Sequence, residues 1–495
     1  MYQHCAEVIA NDYISDQLPL PNYLALFIFH LRFCNMLTLH AALRSGLARR
    51  PAAGIAAVAV ARTAALRSFA SISNEKAGIL NRPVSAKTAE PPSLSAMLRL
   101  QTGETFKATS FGAPITGTPM AGEIVFTTAL VGYPESMTDP SYRGQILVFT
   151  QPLVGNYGVP APTKDEFGLL KHFEADGIQV QGIIVNDYAA KYSHWNAIES
   201  LGQWCARYGV PALTGIDTRA VVTLLRERGS TLAEIRVGDE MVNAKQHPLQ
   251  DPNSRNLVAE ASTKTKRVYN QGGEVKIALV DCGAKQNIIR CLAKRGAEVV
   301  VVPWNHNLAQ DPTKYDGIFL SNGPGNPEAA MQTARNLRAY MELPSAATTP
   351  IFGICMGSQL LGLAAGYPSY KLKYGNRGHN QPAVNLVTGK CVITSQNHGY
   401  ALDDSVKVPG WMPFFRNAND GSNEGIRHIS RPWSSVQFHP EAMGGPLDTD
   451  YLFEDFMLDV REFKSKKERA VHGVGSVAPA LGKKEATAIG LRPST

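Results

Sequence analysis

Four apolar runs recur between residues 276 and 354: Lys276-Ile277-Ala278-Leu279-Val280, Glu298-Val299-Val300-Val301-Val302, Gly317-Ile318-Phe319-Leu320 and Pro350-Ile351-Phe352-Gly353-Ile354. A strand that is apolar on both sides must be covered on both faces, which selects a parallel sheet wrapped by helices. Residues 287–295, closed by Gly296, and residues 329–342 read as two of those helices. The alternation predicts an α/β fold with a doubly wound parallel sheet. Ligands in such sheets bind at the carboxyl ends of the strands.

The fourth run ends at Gly353-Ile354-Cys355-Met356-Gly357 and passes into the helix-like Gln359-Leu360-Leu361-Gly362-Leu363-Ala364-Ala365. This strand-to-helix turn is the wiring of a nucleophile elbow. The glycines permit the tight turn, and a helix N-terminus favours a thiolate. An isolated cysteine is more often a small core residue, but a core strand needs no glycine on each side of it. Downstream, Gln437-Phe438-His439-Pro440-Glu441 offers a base and a carboxylate two positions on. Cysteine, histidine and glutamate together point to acyl transfer. His398, in Gln396-Asn397-His398-Gly399-Tyr400, is a second candidate base, although it fits a substrate loop better. Ser321-Asn322-Gly323-Pro324-Gly325-Asn326-Pro327 reads alone as a turn that caps a helix, and its N–H groups could also face an oxyanion. No segment matches the Walker-type phosphate loop.

The 495 residues have room for two or three domains, and 44% hydrophobic content is that of a globular chain. The net charge of +7 gathers at the ends, so no nucleic-acid role is expected. Seven scattered cysteines without a C-x-x-C pair argue against disulfides and against a metal site. Cys282, Cys291 and Cys391 read as packing residues. Residues 17–74 contain no Asp or Glu but do contain Arg44, Arg49, Arg50, Arg62 and Arg67, the composition of a mitochondrial transit peptide. That character begins near Met36, so residues 1–35 read as a leader or an atypical extension and residues 36–74 as the transit segment. No membrane span is expected, since the apolar run over residues 23–31 is too short. Residues 75–95 read as a linker, 96–253 as a smaller mixed α/β domain, 254–273 as a second linker, 274–464 as the sheet domain and 465–495 as a disordered tail.

The segments around Cys355, Gly323 and His439 resemble the three signatures of class I glutamine amidotransferases. Gly132-Tyr133-Pro134-Glu135-Ser136-Met137-Thr138-Asp139-Pro140-Ser141-Tyr142 and Gly215-Ile216-Asp217-Thr218-Arg219 resemble the amino-terminal domain of carbamoyl phosphate synthase small subunits. Residues 373–380 and 444–448 look most like fungal arginine-pathway members, and residues 11–18 look like the leader peptide encoded upstream of them. The resemblance implies Cys355 as nucleophile, with His439 and Glu441 completing a triad. It implies oxyanion donors at the Gly323 and Met356 N–H groups. Glutamine contacts would fall at Ser141, Gly323, Gly325, Met356, Gln359, Asn397, Gly399 and Tyr400. Ser358 stands where the family commonly has histidine, and Asn326 where it commonly has aspartate.

The implied activity is hydrolysis of L-glutamine. The ammonia would pass to a large subunit in a heterodimer, which makes carbamoyl phosphate with ATP and Mg for arginine biosynthesis in the mitochondrial matrix. No cofactor is expected in this chain. Another amidotransferase should lack residues 132–142, and a cysteine peptidase would not need Gln359 or the Asn397-His398-Gly399 loop. A regulatory homologue should have lost Cys355 or His439. A pyrimidine-pathway small subunit is the nearest alternative, and the targeting segment speaks against it.

Overall fold

The computed structural model describes residues 89–115, 118–245 and 247–471. The leader, the transit segment, most of the first linker and the tail beyond residue 471 lie outside the described residues.

Seven strands close into a barrel: β1 (Leu94–Leu100), β2 (Thr105–Ser110), β3 (Met120–Thr127), β4 (Gln145–Phe149), β5 (Gly182–Ile184), β6 (Ala212–Thr214) and β7 (Thr231–Val237), in the order β1-β7-β3-β4-β5-β6-β2. Closure follows from a period of two: Ala96, Leu98 and Leu100 pack in one core with Ile124, Ile146, Val148, Ile184, Leu213 and Ile235. The intervening Val125, Leu147 and Ile183 are buried on the opposite face under α1 (Tyr133–Thr138) and α2 (Leu201–Arg207). With both faces covered, β3 and β4 hold the residues that follow them in fixed positions. Helix α3 (Thr218–Arg228) is capped by Asp217, whose carboxylate accepts the Ala220 N–H at 2.9 Å.

The second sheet has ten strands: β8 (Arg267–Tyr269), β9 (Val275–Asp281), β10 (Ala297–Pro303), β11 (Gly317–Leu320), β12 (Ile351–Ile354), β13 (Ser369–Asn385), β14 (Cys391–Leu402), β15 (Trp411–Asn417), β16 (Asn423–His428) and β17 (Trp433–Val436). Their order is β8-β10-β9-β11-β12-β17-β16-β15-β13-β14. The five strands from β10 to β17 in that order are parallel, and the rest pair antiparallel. Ile277, Leu279, Phe319 and Phe352 bury one face against α4 (Gln286–Lys294) and α7 (Tyr451–Val471). Ala278, Val280, Ile318 and Leu320 bury the other against α5 (Met331–Met341) and α6 (Met356–Ala365). This is the doubly wound arrangement expected from the four apolar runs, extended by an antiparallel half.

Three boundaries differ from expectation. Strand β1 begins at Leu94, inside the expected first linker. Residues 254–273 are no linker: Asn256 caps a short helix, Leu257–Ala261, that buries Leu257 and Val258, and β8 forms the sheet edge. Both elements are too short for periodicity to register. Residues 465–471 are not tail, because α7 runs to Val471. Lys466 pairs with Glu462 at 2.6 Å and Lys467 with Asp316 at 3.2 Å, so this charged stretch is the solvent face of a helix. Cys391 also departs from expectation. It lies exposed at the start of β14 and does not pack, whereas Cys282 is buried.

Candidate active site

Cys355 lies between β12 and α6 with φ 53° and ψ −106°, and its N–H donates to the Val436 carbonyl at 2.9 Å. A positive φ on a non-glycine residue is strained and persists only where the surroundings enforce it. Two close approaches enforce it here. A Cβ on Gly353 would stand 2.6 Å from the Gly357 carbonyl oxygen, and one on Gly357 would collide with the Leu320 carbonyl. The thiol is buried, and Sγ lies 3.6 Å from the Asn397 carbonyl.

His439 follows β17, the strand beside β12, and so emerges at the same end of the sheet. Its Nδ1 lies 2.6 Å from Glu441 Oε1. Its Nε2 is buried with no partner at hydrogen-bond distance, and the ring lies near enough to Cys355 to feel its charge. Burial works against the imidazolium, but the Glu441 carboxylate and Cys355 outweigh burial and the opposing Lys285 charge, and the imidazole pKa rises above its ordinary value. Burial alone would push the Glu441 carboxyl up. The Lys285 ammonium and His439 reverse this and hold it well below the ordinary carboxylate range.

Lys285 was not singled out by sequence reasoning. Its buried Nζ lies 3.0 Å from Glu441 Oε1 and 3.6 Å from Glu174 Oε1. Burial disfavours the ammonium, but Glu441, Glu174 and Asp139 together hold its pKa above the usual range. The signal available was its position, just past the carboxyl end of β9, where sites in parallel sheets gather. Asn287 Nδ2 also donates to the Glu441 main-chain carbonyl, which anchors the backbone that carries the carboxylate.

The expected glutamine contacts converge. Ser141, Gly323, Gly325, Met356, Gln359, Asn397, Gly399 and Tyr400 all line one pocket with Cys355. A side chain on Gly323 would collide with the Cys282 carbonyl, and Gly325 has φ 84°. Met356 opens α6, where the first N–H groups of a helix lack an intrahelical acceptor. Both donor positions expected for an oxyanion therefore border the thiol. Gln359 Nε2 donates to the Tyr400 carbonyl and to Gln437 Oε1, each at 2.9 Å, which leaves its own carbonyl oxygen to a ligand. Ser141 reaches the pocket from the barrel domain and accepts the Asn322 amide at 2.9 Å. Asp139, a second residue that sequence reasoning missed, accepts Asn397 Nδ2 at 2.9 Å and so braces strand β14 of the sheet domain.

His398 also occupies this pocket, but its ring is otherwise engaged. Nδ1 lies 2.8 Å from the Tyr400 carbonyl, and Nε2 lies 3.2 Å from Gln396 Oε1 and 3.7 Å from Glu424 Oε1. The two departures from the family pattern sit away from the thiol. Ser358 Oγ donates to Ser435 Oγ at 2.8 Å, and Asn326 accepts the Glu328 N–H at 3.0 Å as an N-cap.

The geometry agrees with what comparison with known proteins finds. A family profile described as the carbamoyl-phosphate synthase small chain, CPSase domain, matches residues 98–235, and one described as glutamine amidotransferase class-I matches residues 278–458. The carbamoyl phosphate synthase arginine-specific small chain of Neurospora crassa is 53% identical over 382 residues, covering 77% of this chain and 83% of its own. Its counterpart in Schizosaccharomyces pombe is 52% identical over 391 residues, covering 79% and 93%.

This chain belongs to the carbamoyl phosphate synthase small-chain family. The small chain is the glutamine-hydrolysing subunit of the enzyme, and membership implies a large-subunit partner. A solved glutamine amidotransferase from Thermotoga maritima aligns with 40% of this small chain and 86% of its own at 16% identity, with a TM-score of 0.29.

Proposed function

We propose that Cys355, His439 and Glu441 act as a triad that hydrolyses glutamine, and that the ammonia feeds carbamoyl phosphate synthesis on the large subunit. One observation carries this reading: His439 is held through Nδ1 by Glu441 while its Nε2 is left without a partner, and the ring is coupled to a cysteine on a strained elbow. Such a nitrogen can take the thiol proton and return it to a leaving group.

Sγ of Cys355 attacks the side-chain amide carbon of glutamine, and the C=O π pair moves onto oxygen. The Gly323 and Met356 N–H groups would stabilise that oxyanion. Collapse breaks the C–N bond, and His439 protonates the departing nitrogen to give ammonia. Water, deprotonated by the same imidazole, then hydrolyses the glutamyl thioester to glutamate and frees the thiol. Lys285 holds the Glu441 carboxylate in its anionic form, which keeps His439 oriented and charged when needed.

The large subunit would join the ammonia to bicarbonate with ATP and Mg, in a heterodimer in which this chain carries no cofactor. Arginine biosynthesis is the proposed destination, because the relatives bear arginine-specific names, and the mitochondrial matrix is the proposed compartment, from the acid-free, arginine-punctuated residues 17–74. The test is ammonia release from glutamine by the complex of wild type and of Cys355→Ser. The serine variant should lose it while synthesis from added ammonia persists, and unchanged release would defeat the nucleophile assignment. A fusion carrying residues 36–74 that stays in the cytosol would defeat the compartment assignment.

A further inference from the structure

Arg377 is a buried cation in the same pocket, and neither the triad nor the contacts discussed above employ it. It is 5% exposed and lines the pocket with Cys355 and Gln359. It stands on β13 directly opposite Asn397 on β14, and residues opposite one another in an antiparallel pair project to the same face. A guanidinium carries five N–H donors. One nitrogen donates to the Tyr374 carbonyl at 2.7 Å, while Nε is buried and has no partner. Among the described residues no carboxylate forms an ion pair with it. Glu123, the acidic residue in the pocket wall, acts on Arg377 through its charge but is itself hydrogen-bonded by Lys371 at 2.6 Å and by Gln145 at 2.9 Å.

The backbone passes close to the guanidinium. A Cβ on Gly375, whose φ is 73°, would meet the His398 carbonyl first and stand 2.5 Å from one terminal nitrogen of Arg377, and a Cβ on Gly399 would stand 3.2 Å from the other. Burying a cation that has no directly paired anion is costly. A position that keeps one beside the reactive thiol, with donors unengaged, is built for an anion that arrives with the substrate. Glutamine has one anionic group, its α-carboxylate, and a planar guanidinium matches a carboxylate with two parallel hydrogen bonds.

We propose that Arg377 recognises the α-carboxylate of glutamine and thereby restricts the site to the free amino acid. This inference rests on the glutamine-hydrolase reading and adds a specificity determinant to it. The free carbonyl oxygen of Gln359 would face the α-ammonium, so the two ends of the zwitterion meet opposite polarities. Glutamine α-amide, which keeps the reactive side chain but lacks the carboxylate, should be a poor ligand.

The experiment measures equilibrium binding of L-glutamine and of L-glutamine α-amide to the two-subunit complex carrying Cys355→Ala, which cannot turn over, with and without Arg377→Gln. Losing a buried charged partner should weaken glutamine binding by about 100-fold while changing α-amide binding by less than about 3-fold. Arg377→Lys, which keeps the charge but not the planar geometry, should recover part of the loss. If Arg377→Gln unfolds, the same comparison is made on the lysine variant, whose preference for glutamine should fall between the other two. An equal loss for both compounds, or an unchanged preference between them, overturns the inference while glutamine release of ammonia by the Arg377-intact enzyme stands. If the Cys355→Ala complex binds neither compound and the complex with Cys355 intact releases no ammonia from glutamine, the hydrolase reading fails and the inference with it.

Discussion

Two buried histidines, each beside a buried glutamate, stand at one end of the second sheet, and their ring nitrogens differ in a way that separates chemistry from scaffolding. In the His398 and Glu424 pair both nitrogens meet protein acceptors, so the ring ties together residues 396–400 of β14, a strand where a loop was expected. In the His439 and Glu441 pair one nitrogen is held and the other is open toward Cys355. Lys285 adds the second contrast. It supplies a buried cation to Glu441, whereas Glu424 is held by the neutral Asn417 amide at 2.9 Å. A histidine with a satisfied ring is a strut, and one with a half-satisfied ring can carry a proton.

Substitutions at the two pairs should therefore diverge. The largest effect is expected for His439→Asn, which removes the proton carrier and should lower kcat for glutamine hydrolysis by about 10³-fold or more. Steady-state ammonia release measures it, and a loss under tenfold would erase the distinction. Glu441→Gln keeps the shape but not the charge, and should cost on the order of 100-fold or more in kcat. Lys285→Met should come next, with about a tenfold loss and a shifted pH–rate profile, because it frees Glu441 to titrate. His398→Asn should raise KM for glutamine and leave kcat within about tenfold, since it loosens this end of β14 without touching proton transfer.

The smallest expected effect is on stability. The His439 pKa is raised, so its contribution is full below the ordinary 6.5 and is lost as pH climbs through the raised value. The Glu441 pKa is lowered, so its contribution is full above the ordinary 4.5 and is lost as pH falls through the lowered value. The melting-temperature gap between wild type and Glu441→Gln should thus be widest between pH 4.5 and 6.5. Thermal melts across pH check this, and a gap that widens steadily toward alkaline pH would contradict the charge assignment.

What was readable in advance follows the range of the interactions. The parallel strands β9 to β12 were legible because burial on both faces leaves an uninterrupted apolar run, and the elbow because two glycines frame one cysteine. The barrel was not, since its seven strands are three to eight residues long and close only through pairings such as β1 with β7, more than a hundred residues apart. The antiparallel half of the second sheet was unread for a related reason: β13 is a polar strand with register shifts, and polar runs read as loops. At the site, backbone-framed residues such as Cys355 and Gly323 were visible. Lys285, Asp139 and Arg377 were not, because a charged residue in a sequence carries no mark of its tertiary burial.

The most direct test is acid quenching of the two-subunit complex during turnover with glutamine, followed by mass spectrometry of the peptide carrying Cys355. A glutamyl adduct should appear on Cys355 and on no other cysteine, and Cys355→Ala should show neither adduct nor ammonia release. Hydrolysis of glutamine that continues in Cys355→Ala, or an adduct on a different side chain, would contradict the assignment of Cys355 as the nucleophile.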